Sequence, residues 1–184
     1  MPDETTWVID TSVYTHICRA GHAEILERLA PGGVIVVPAD VTTTEIHEGR
    51  SRYEGIPDPS STSWMQTTVL TEAEVLTQLI VKAALGGGPT QHLGESAVIA
   101  CARHRGITAL LDDRSAITQA DLHGVRSHDT LWLVIEAWLT LPDYDRDRAI
   151  QVVDDLLSTD MYLPIDSGES LIAWAYEEGL LPRE

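Results

Sequence analysis

Basic residues are scarce in this chain. Its 184 residues hold 12 lysines and arginines against 29 aspartates and glutamates, which gives a net charge of −17 at pH 7. A surface this acidic repels phosphate chains at long range, and this argues against tight nonspecific binding of nucleic acid by the free protein. The same excess of acid suits a cation site or a basic protein partner, and it also favours solubility.

Cysteine is rare, phenylalanine is absent, and long apolar runs are missing. The chain has two cysteines, and Cys18 and Cys101 lack the spacing of metal ligands, so they indicate reduced thiols in a cytosolic protein. No apolar run reaches the roughly 18 residues of a membrane span. The acidic start, MPDETTW, is unlike a secretory signal. These absences predict a cytoplasmic protein that does not enter a membrane.

Short apolar runs alternate with segments of helical periodicity along the chain. This alternation predicts an α/β protein, a three-layer α/β/α fold with a parallel sheet of about five strands. We expect one domain over residues 1–184, in which residues 140–184 form a C-terminal helical extension. The predicted strands cover residues 6–10, 34–37, 64–70 and 107–111, with a short fifth strand at Val125.

Local signals place helices and loops in the first third of the chain. Thr11 or Ser12 is expected to cap the helix that follows the first strand. Pro38 suits a helix start and predicts a helix over residues 39–47. Residues 49–63, with their prolines and serines, are predicted to be a loop.

A capping-box pattern opens the next helix. Thr71 stands three residues before Glu74, so each can satisfy a backbone amide of the first turn. The helix is predicted to continue to about Leu85, and its apolar residues are Val75, Leu76, Leu79, Ile80 and Ala83.

The stretch from Leu93 to Ala116 is the most informative part of the sequence. It predicts a helix with Glu95 in its first turn, stopped by Gly106. A short apolar strand over residues 107–111 follows. The next two residues, Asp112 and Asp113, therefore stand at a carboxyl end of a strand, the edge where open α/β sheets bind ligands. Taken singly, Glu95 also suits the helix dipole and Asp112 also suits the cap of the next helix.

Five carboxylates share a position of this kind, at the end of a strand or on a helix that adjoins one. Side by side they would repel one another. Mg²⁺ and Mn²⁺ prefer carboxylate oxygen and water as ligands, and such ions serve phosphodiester hydrolysis by activating a water and stabilising the departing oxygen. The five residues are Asp10, Glu45, Glu95, Asp112 and Asp113.

The segments that carry these acids resemble the PIN-domain family of nucleases, which includes the toxins of many bacterial toxin–antitoxin pairs. The matching segments are VIDTSV around Asp10, TTTEIHEG around Glu45, LGESAVIACA around Glu95, and LLDDRSA around Asp112 and Asp113, in this order through roughly residues 6–137. A further segment, HDTLWLVIEAW, resembles the turn and helix after the last strand in one subgroup of PIN-like proteins.

This resemblance implies a metal-dependent ribonuclease that hydrolyses RNA, acting as the toxin of a toxin–antitoxin pair. It implies a homodimer and, for a toxin, a cognate antitoxin that blocks the site. The implied catalytic residues are Asp10, Glu45, Glu95 and Asp113, and the implied ligands of Mg²⁺ or Mn²⁺ are Asp10, Glu95, Asp112 and Asp113.

Binding of RNA by so acidic a chain requires local positive charge. The arginines that adjoin the acidic segments are the candidates, and they are Arg50, Arg52, Arg103, Arg105 and Arg114. We expect Arg114, together with Ser12, to contact the substrate.

Other interpretations explain less of the pattern. A phosphatase that uses Asp10 as nucleophile would normally carry a second aspartate two residues later, where this chain has Ser12. The seven histidines show no close paired spacing of zinc ligands. The main alternative is a PIN-like interaction module with a weak metal site, which binds a basic protein partner through its acidic surface.

Overall fold

A computed structural model describes residues 5–39, 41 and 46–181. Five parallel strands form the middle layer, in the spatial order β3-β2-β1-β4-β5. In the central register, Val8 of β1 lies between Val36 of β2 and Ala109 of β4. The predicted α/β fold with a parallel sheet of five strands is confirmed. The strands are β1 (Trp7–Ile9), β2 (Ile35–Pro38), β3 (Met65–Thr68), β4 (Thr108–Leu110) and β5 (Ser127–His128).

Helices cover both faces of the sheet. On one face, α5 packs on the central strands with α4 and α6 beside it, and on the other α1, α2, α7 and α8 pack against one another. The helices in the described part of the chain are α1 (Thr11–Arg19), α2 (Ala23–Leu29), α3 (His47–Arg52), α4 (Glu72–Leu85), α5 (Leu93–Arg105), α6 (Arg114–Leu122), α7 (Thr130–Thr140), α8 (Arg146–Leu157) and α9 (Leu171–Glu177).

The central strands are buried on both sides, as expected for a parallel sheet between two helical layers. Val8, Ile35 and Leu110 are fully buried. Val153 of α8 and Leu171 of α9 belong to the same continuous core. Helix α8 therefore completes the layer formed by α1, α2 and α7, while a boundary at residue 140 stays a prediction.

Pro38 is the last residue of β2, and Ala39, directly after it, is helical as expected; most of the helix predicted over residues 39–47 lies outside the described residues. Two other local predictions are wrong. The predicted loop over residues 49–63 contains most of α3, because a single glycine, Gly49, costs a helix only about 1 kcal/mol. Val125 is not in a strand: its amide bonds the carbonyl of Ala120, and β5 begins two residues later.

The capping box at the start of α4 is confirmed. The Glu74 amide donates to Thr71 Oγ1 (3.3 Å), and the Thr71 amide donates to Glu74 Oε2 (2.7 Å).

None of the helices in the described part of the chain has the length and apolar character that a membrane span requires.

Candidate functional site

Three neighbouring strands each lead into an aspartate at the same edge of the sheet. Asp10 follows β1, Asp112 comes two residues after β4, and Asp129 follows β5. The strand ends stay paired here, because the Asp10 amide donates to the Leu110 carbonyl at 3.1 Å. The order of the strands reverses between β1 and β4, and such a switch point is where open parallel sheets bind ligands.

Two of the predicted site acids also cap helices. Asp10 precedes α1 and accepts hydrogen bonds from the Ser12 amide (3.2 Å) and the Ser12 hydroxyl (2.8 Å). The prediction that Thr11 or Ser12 caps α1 is therefore wrong. Asp113 caps α6 by accepting from the Ala116 amide at 2.8 Å. Both carboxylates lie at a helix N-terminus, where the helix dipole favours their negative charge.

Asp112 makes a longer-range connection. Its two oxygens accept from the Thr130 amide and the Thr130 hydroxyl, each at 2.9 Å. Asp112 does not cap α6, so the interpretation of Asp112 as that cap is wrong; Asp113 has that role. Asp129 caps α7 by accepting from the Trp132 amide at 2.8 Å. Asp112 and Asp129 thus connect the ends of β4 and β5 to the first turn of α7.

A cleft of about 510 Å³ opens at this edge. Glu95 enters it from the first turn of α5, where His92 Nδ1 lies 3.2 Å from its carboxylate. Asp112 and Asp113 enter it from the end of β4. The cleft thus brings together three of the predicted site acids, and Asp10 lies beside it through its bonds to Ser12. The remaining lining residues are Ser12, His16, Arg114, Ile117, Asp129, Met161, Tyr162 and Pro164.

Burial sets the charge state of the acids deepest in the cleft. Burial raises the pKa of Asp112 to about 6, against the opposing effect of the two hydrogen bonds from Thr130. The pKa of Asp129 is also raised, mainly by burial and further by the nearby carboxylate of Glu178. The charged forms of these two acids are therefore disfavoured at this end of the sheet.

The sequence profile of the family DUF3368, a PIN domain, matches residues 6–177. The chain belongs to the PIN-domain family. The match includes α8 and ends at the last residue of α9, so it continues well beyond the segments that carry the acidic motifs. No curated protein matches the chain.

The side chains at this edge of the PIN domain suit a hard divalent cation, because Mg²⁺ and Mn²⁺ prefer carboxylate oxygen and Glu95, Asp112 and Asp113 supply it in the cleft. Among the described residues, however, no three histidine, cysteine or acidic side chains converge closely enough to hold a metal ion by themselves. Mg²⁺ usually keeps several waters and uses only one or two carboxylates. The described donors therefore fit a largely hydrated ion, and the four-carboxylate ligand set stays a prediction.

One predicted site acid, Glu45, lies outside the described residues. Of the arginines proposed to guide RNA, Arg114 lines the cleft. Arg52 is exposed on α3, and three others have partners elsewhere. Arg50 bonds Asp58 at 2.7 Å, Arg103 lies 2.8 Å from His123 Nδ1, and Arg105 bonds Glu74 at 2.6 Å.

Sequence analysis missed the residues that the C-terminal segment brings to the cleft. Met161, Tyr162 and Pro164 follow α8 and line one wall, with Tyr162 strongly exposed. His16 of α1 lines the same cleft, with Nδ1 2.7 Å from Thr159 Oγ1, and burial lowers the pKa of its imidazole. This contact joins positions 143 residues apart, so no local spacing could have indicated it.

Proposed function

We propose that this PIN domain is a divalent-metal-dependent ribonuclease and that the acidic cleft is its active site. The observation that carries the proposal is the opening of Glu95, Asp112 and Asp113 into one cleft at the carboxyl edge of the sheet. The family membership supports a nuclease, and the raised pKa of Asp112 marks a site whose charge a cation would compensate.

The chain's own groups are suited to hold such an ion and orient it. A bound Mg²⁺ or Mn²⁺ would supply an activated water and stabilise the departing oxygen. Asp10 is oriented by Ser12, and Asp113 is oriented by the Ala116 amide. Because these bonds come from backbone and from short side chains at rigid helix starts, the carboxylates are positioned before any ion arrives.

We propose that Arg114 and Ser12 contact the RNA substrate. Arg114 is the exposed cation on the cleft wall, and its guanidinium suits a phosphodiester oxygen. It provides local attraction for RNA on a chain of net charge −17. The Ser12 hydroxyl donates to Asp10, so Ser12 would contact the RNA as an acceptor or after exchanging that bond.

The test is cleavage of RNA by the purified protein in Mn²⁺, with an EDTA control and the variants Asp10→Asn and Asp113→Asn. Asparagine caps a helix about as well as aspartate, so these variants keep the fold and lose the charge. The matched control is Asp145→Asn, which alters the cap of α8 away from the cleft. We expect cleavage by the parent and the control, and loss of at least two orders of magnitude in both cleft variants. Cleavage by Asp113→Asn at the parent rate would refute the assignment.

Metal binding is tested separately by thermal unfolding. An ion that binds only the folded protein stabilises it by about 2.7 kcal/mol at a hundred times its Kd. We expect Mg²⁺ or Mn²⁺ to raise the Tm of the parent and of Asp145→Asn, and to raise that of Asp113→Asn less. A parent that shows neither a metal shift nor cleavage would favour the alternative, an interaction module that binds a basic protein.

We propose further that the ribonuclease acts as the toxin of a toxin–antitoxin pair. The support is the likeness of the acidic segments to those of PIN-domain toxins. Induced expression of the parent in a bacterial host is expected to arrest growth, while Asp113→Asn leaves growth unaffected. Equal growth with both proteins would remove the toxin role and leave the nuclease assay to decide the chemistry.

A further inference from the structure

A second cavity, of about 180 Å³, adjoins the acidic cleft. The two cavities share Asp129 as a lining residue, but the rest of the polar and aromatic lining of the second one is its own. We call it the tryptophan pocket, after Trp132 of α7 and Trp174 of α9. Sites for drug-sized molecules measure about 300–1,000 Å³, so the tryptophan pocket has the size for one side chain or one small head group.

The walls of the tryptophan pocket are largely aromatic. The ring of Trp132 stacks on the imidazole of His128, with centroids 3.7 Å apart and planes 8° apart, and it forms a T-shaped pair with Trp7 at 5.9 Å. These contacts hold Trp132 in one orientation. Trp132 and Trp174 are both half-buried, so part of each indole is accessible from the pocket. The faces of such rings attract cations.

Two carboxylates complete the tryptophan pocket. Asp129 is oriented by the Trp132 amide, which donates to it at 2.8 Å. Glu178 stands four residues after Trp174 at the end of α9, so these two side chains share one face of the helix. Burial and the carboxylate of Glu178 both raise the pKa of Asp129, which indicates that the two carboxylates lie close enough to repel each other.

No positive charge of the protein compensates these acids. Among the described residues, no arginine, lysine or histidine forms an ion pair with Asp129 or Glu178. The tryptophan pocket therefore combines aromatic rings and carboxylates without a paired cationic side chain. A ligand that stacks on indole and donates hydrogen bonds to carboxylate oxygen would satisfy both kinds of wall.

We propose that the tryptophan pocket binds a guanidinium group. A guanidinium is planar, stacks on aromatic rings and donates to carboxylates through a fixed fork of N–H groups. An alkylammonium is a smaller, more strongly hydrated charge without the plane that stacks on indole. Mg²⁺ is a poorer match because it requires oxygen ligands and keeps several waters. A nucleotide would bring its phosphate towards two carboxylates, which repel it.

The guanidinium can belong to a free small molecule or to an arginine side chain of another protein, because the group that enters the pocket is the same. Trp174 and Glu178 line the tryptophan pocket and not the acidic cleft. The inference therefore goes beyond the proposed nuclease activity and does not depend on it.

The test is a titration of the ¹⁵N-labelled protein with ethylguanidinium chloride at millimolar concentration, followed through the indole N–H signals in NMR spectra. The chain has five tryptophans, and we expect saturable shifts for Trp132 and Trp174 but none for Trp64 and Trp138, which do not line the pocket. Sodium chloride at equal ionic strength should leave all the signals in place. Ethylammonium chloride should bind at least threefold more weakly, and equal binding would overturn the assignment to a guanidinium.

Variants locate the site. Glu178→Gln keeps the shape of the side chain and removes its charge, and we expect it to weaken the binding of ethylguanidinium at least tenfold. Two controls should bind as the parent does: Glu177→Gln, at the neighbouring exposed glutamate, and Asp113→Asn, in the acidic cleft. Thermal unfolding of each variant checks that the fold is kept. No saturable shift in the parent, parent-like binding by Glu178→Gln, or loss of binding in Asp113→Asn would each overturn the proposal.

A blocked peptide with a single arginine between two glycines separates the two sources. Peptide binding at least tenfold tighter than that of ethylguanidinium, with the same loss in Glu178→Gln, would assign the pocket to an arginine of a protein partner. Equal or weaker peptide binding would assign it to a free guanidinium compound.

Discussion

Glu74 and Asp112 are both carboxylates held largely away from solvent, and their surroundings move their pKa values in opposite directions. Glu74 lies on the buried face of α4 with the guanidinium of Arg105 against it, and that pairing lowers its pKa to about 2. Asp112 lies in the acidic cleft, where its neighbours are the Thr130 donors and the carboxylate of Asp129, and burial raises its pKa to about 6. Arg105 compensates the charge of Glu74, whereas no cationic side chain among the described residues pairs with Asp112.

The difference separates an acid that maintains structure from one that is available for a ligand. A buried charge without a counter-charge costs free energy, and no arginine among the described residues forms an ion pair with Asp112, although Arg114 lines the same cleft. A cation would provide that offset, and this supports the proposed metal site at the Asp112 end of the sheet. Glu74 is no nearer to solvent than Asp112, so burial alone does not distinguish the two roles.

The largest effect is expected from breaking the paired acid. Glu74→Ala removes the charge-assisted bonds to the partly exposed Arg105 and half of the capping box, which together contribute about 3 kcal/mol. Since the pKa of Glu74 is lowered, its contribution to stability is present above about pH 4.5 and is lost as the pH falls through about 2. Urea unfolding at pH 7 should therefore show a much lower midpoint for Glu74→Ala.

The control for this variant is Glu72→Ala, an exposed glutamate two residues earlier on the same helix. Its free energy of unfolding should stay within about 0.5 kcal/mol of that of the parent, as for ordinary surface substitutions, so its urea midpoint should hardly change. Equal midpoints for the two alanine variants would mean that the Glu74–Arg105 pair does not hold α4 in place.

A smaller and opposite effect is expected at the unpaired acid. The pKa of Asp112 is 3.8 when unperturbed and about 6 in the folded protein. Between these values the folded state binds a proton that the unfolded chain does not, so the free energy of unfolding falls as the pH rises through this window, by about 2 kcal/mol between pH 4.5 and pH 7. Asp112→Asn should abolish this slope.

The measurement is urea unfolding in EDTA at pH 4.5 and pH 7, comparing Asp112→Asn with the parent. Relative to the parent, the variant should gain stability between the lower and the higher pH. Asp145→Asn, at the exposed cap of α8, should follow the parent at both. If the free energy of unfolding of Asp112→Asn changes with pH as that of the parent does, ionisation of Asp112 does not cause the loss of stability.

The smallest effect is expected from Thr130→Val, which keeps the shape of a fully buried side chain and removes its hydroxyl. The hydroxyl donates to Asp112 and favours its charged form. Loss of one such bond costs about 1 kcal/mol and should move the window of falling stability to higher pH. The midpoint of that window, read from unfolding at several pH values, is the measurement, and an unmoved midpoint would contradict the assigned bond.

Sequence patterns predicted the fold well because its signals are local. The run at Val34–Val37, the capping box at Thr71 and the glycine that ends α5 each act within a few residues, and each has its expected place in the structure. The acids at the strand ends could likewise be predicted to share an edge, because a parallel sheet aligns such ends. The PIN-domain resemblance depended on the same segments.

Long-range contacts could not be predicted in this way. Periodicity shows that α4 has an apolar stripe, but which side of the helix meets the protein depends on Arg105 and His104, about 30 residues later. The bond of Asp112 to Thr130 and the wall formed by Tyr162 likewise depend on tertiary packing. Sequence spacing therefore indicated the acids of the cleft but not the groups that orient or enclose them.

Asp10 and Asp113 are helix caps as well as cleft acids. The fold should therefore tolerate substitutions that remove the charge of these side chains but keep their capping bonds. Asparagine or serine at either position would still cap its helix, so a descendant that had lost the charge would remain folded. Relatives that have lost the proposed nuclease activity should therefore still fold, and they should carry asparagine or serine, rather than alanine, at these two positions.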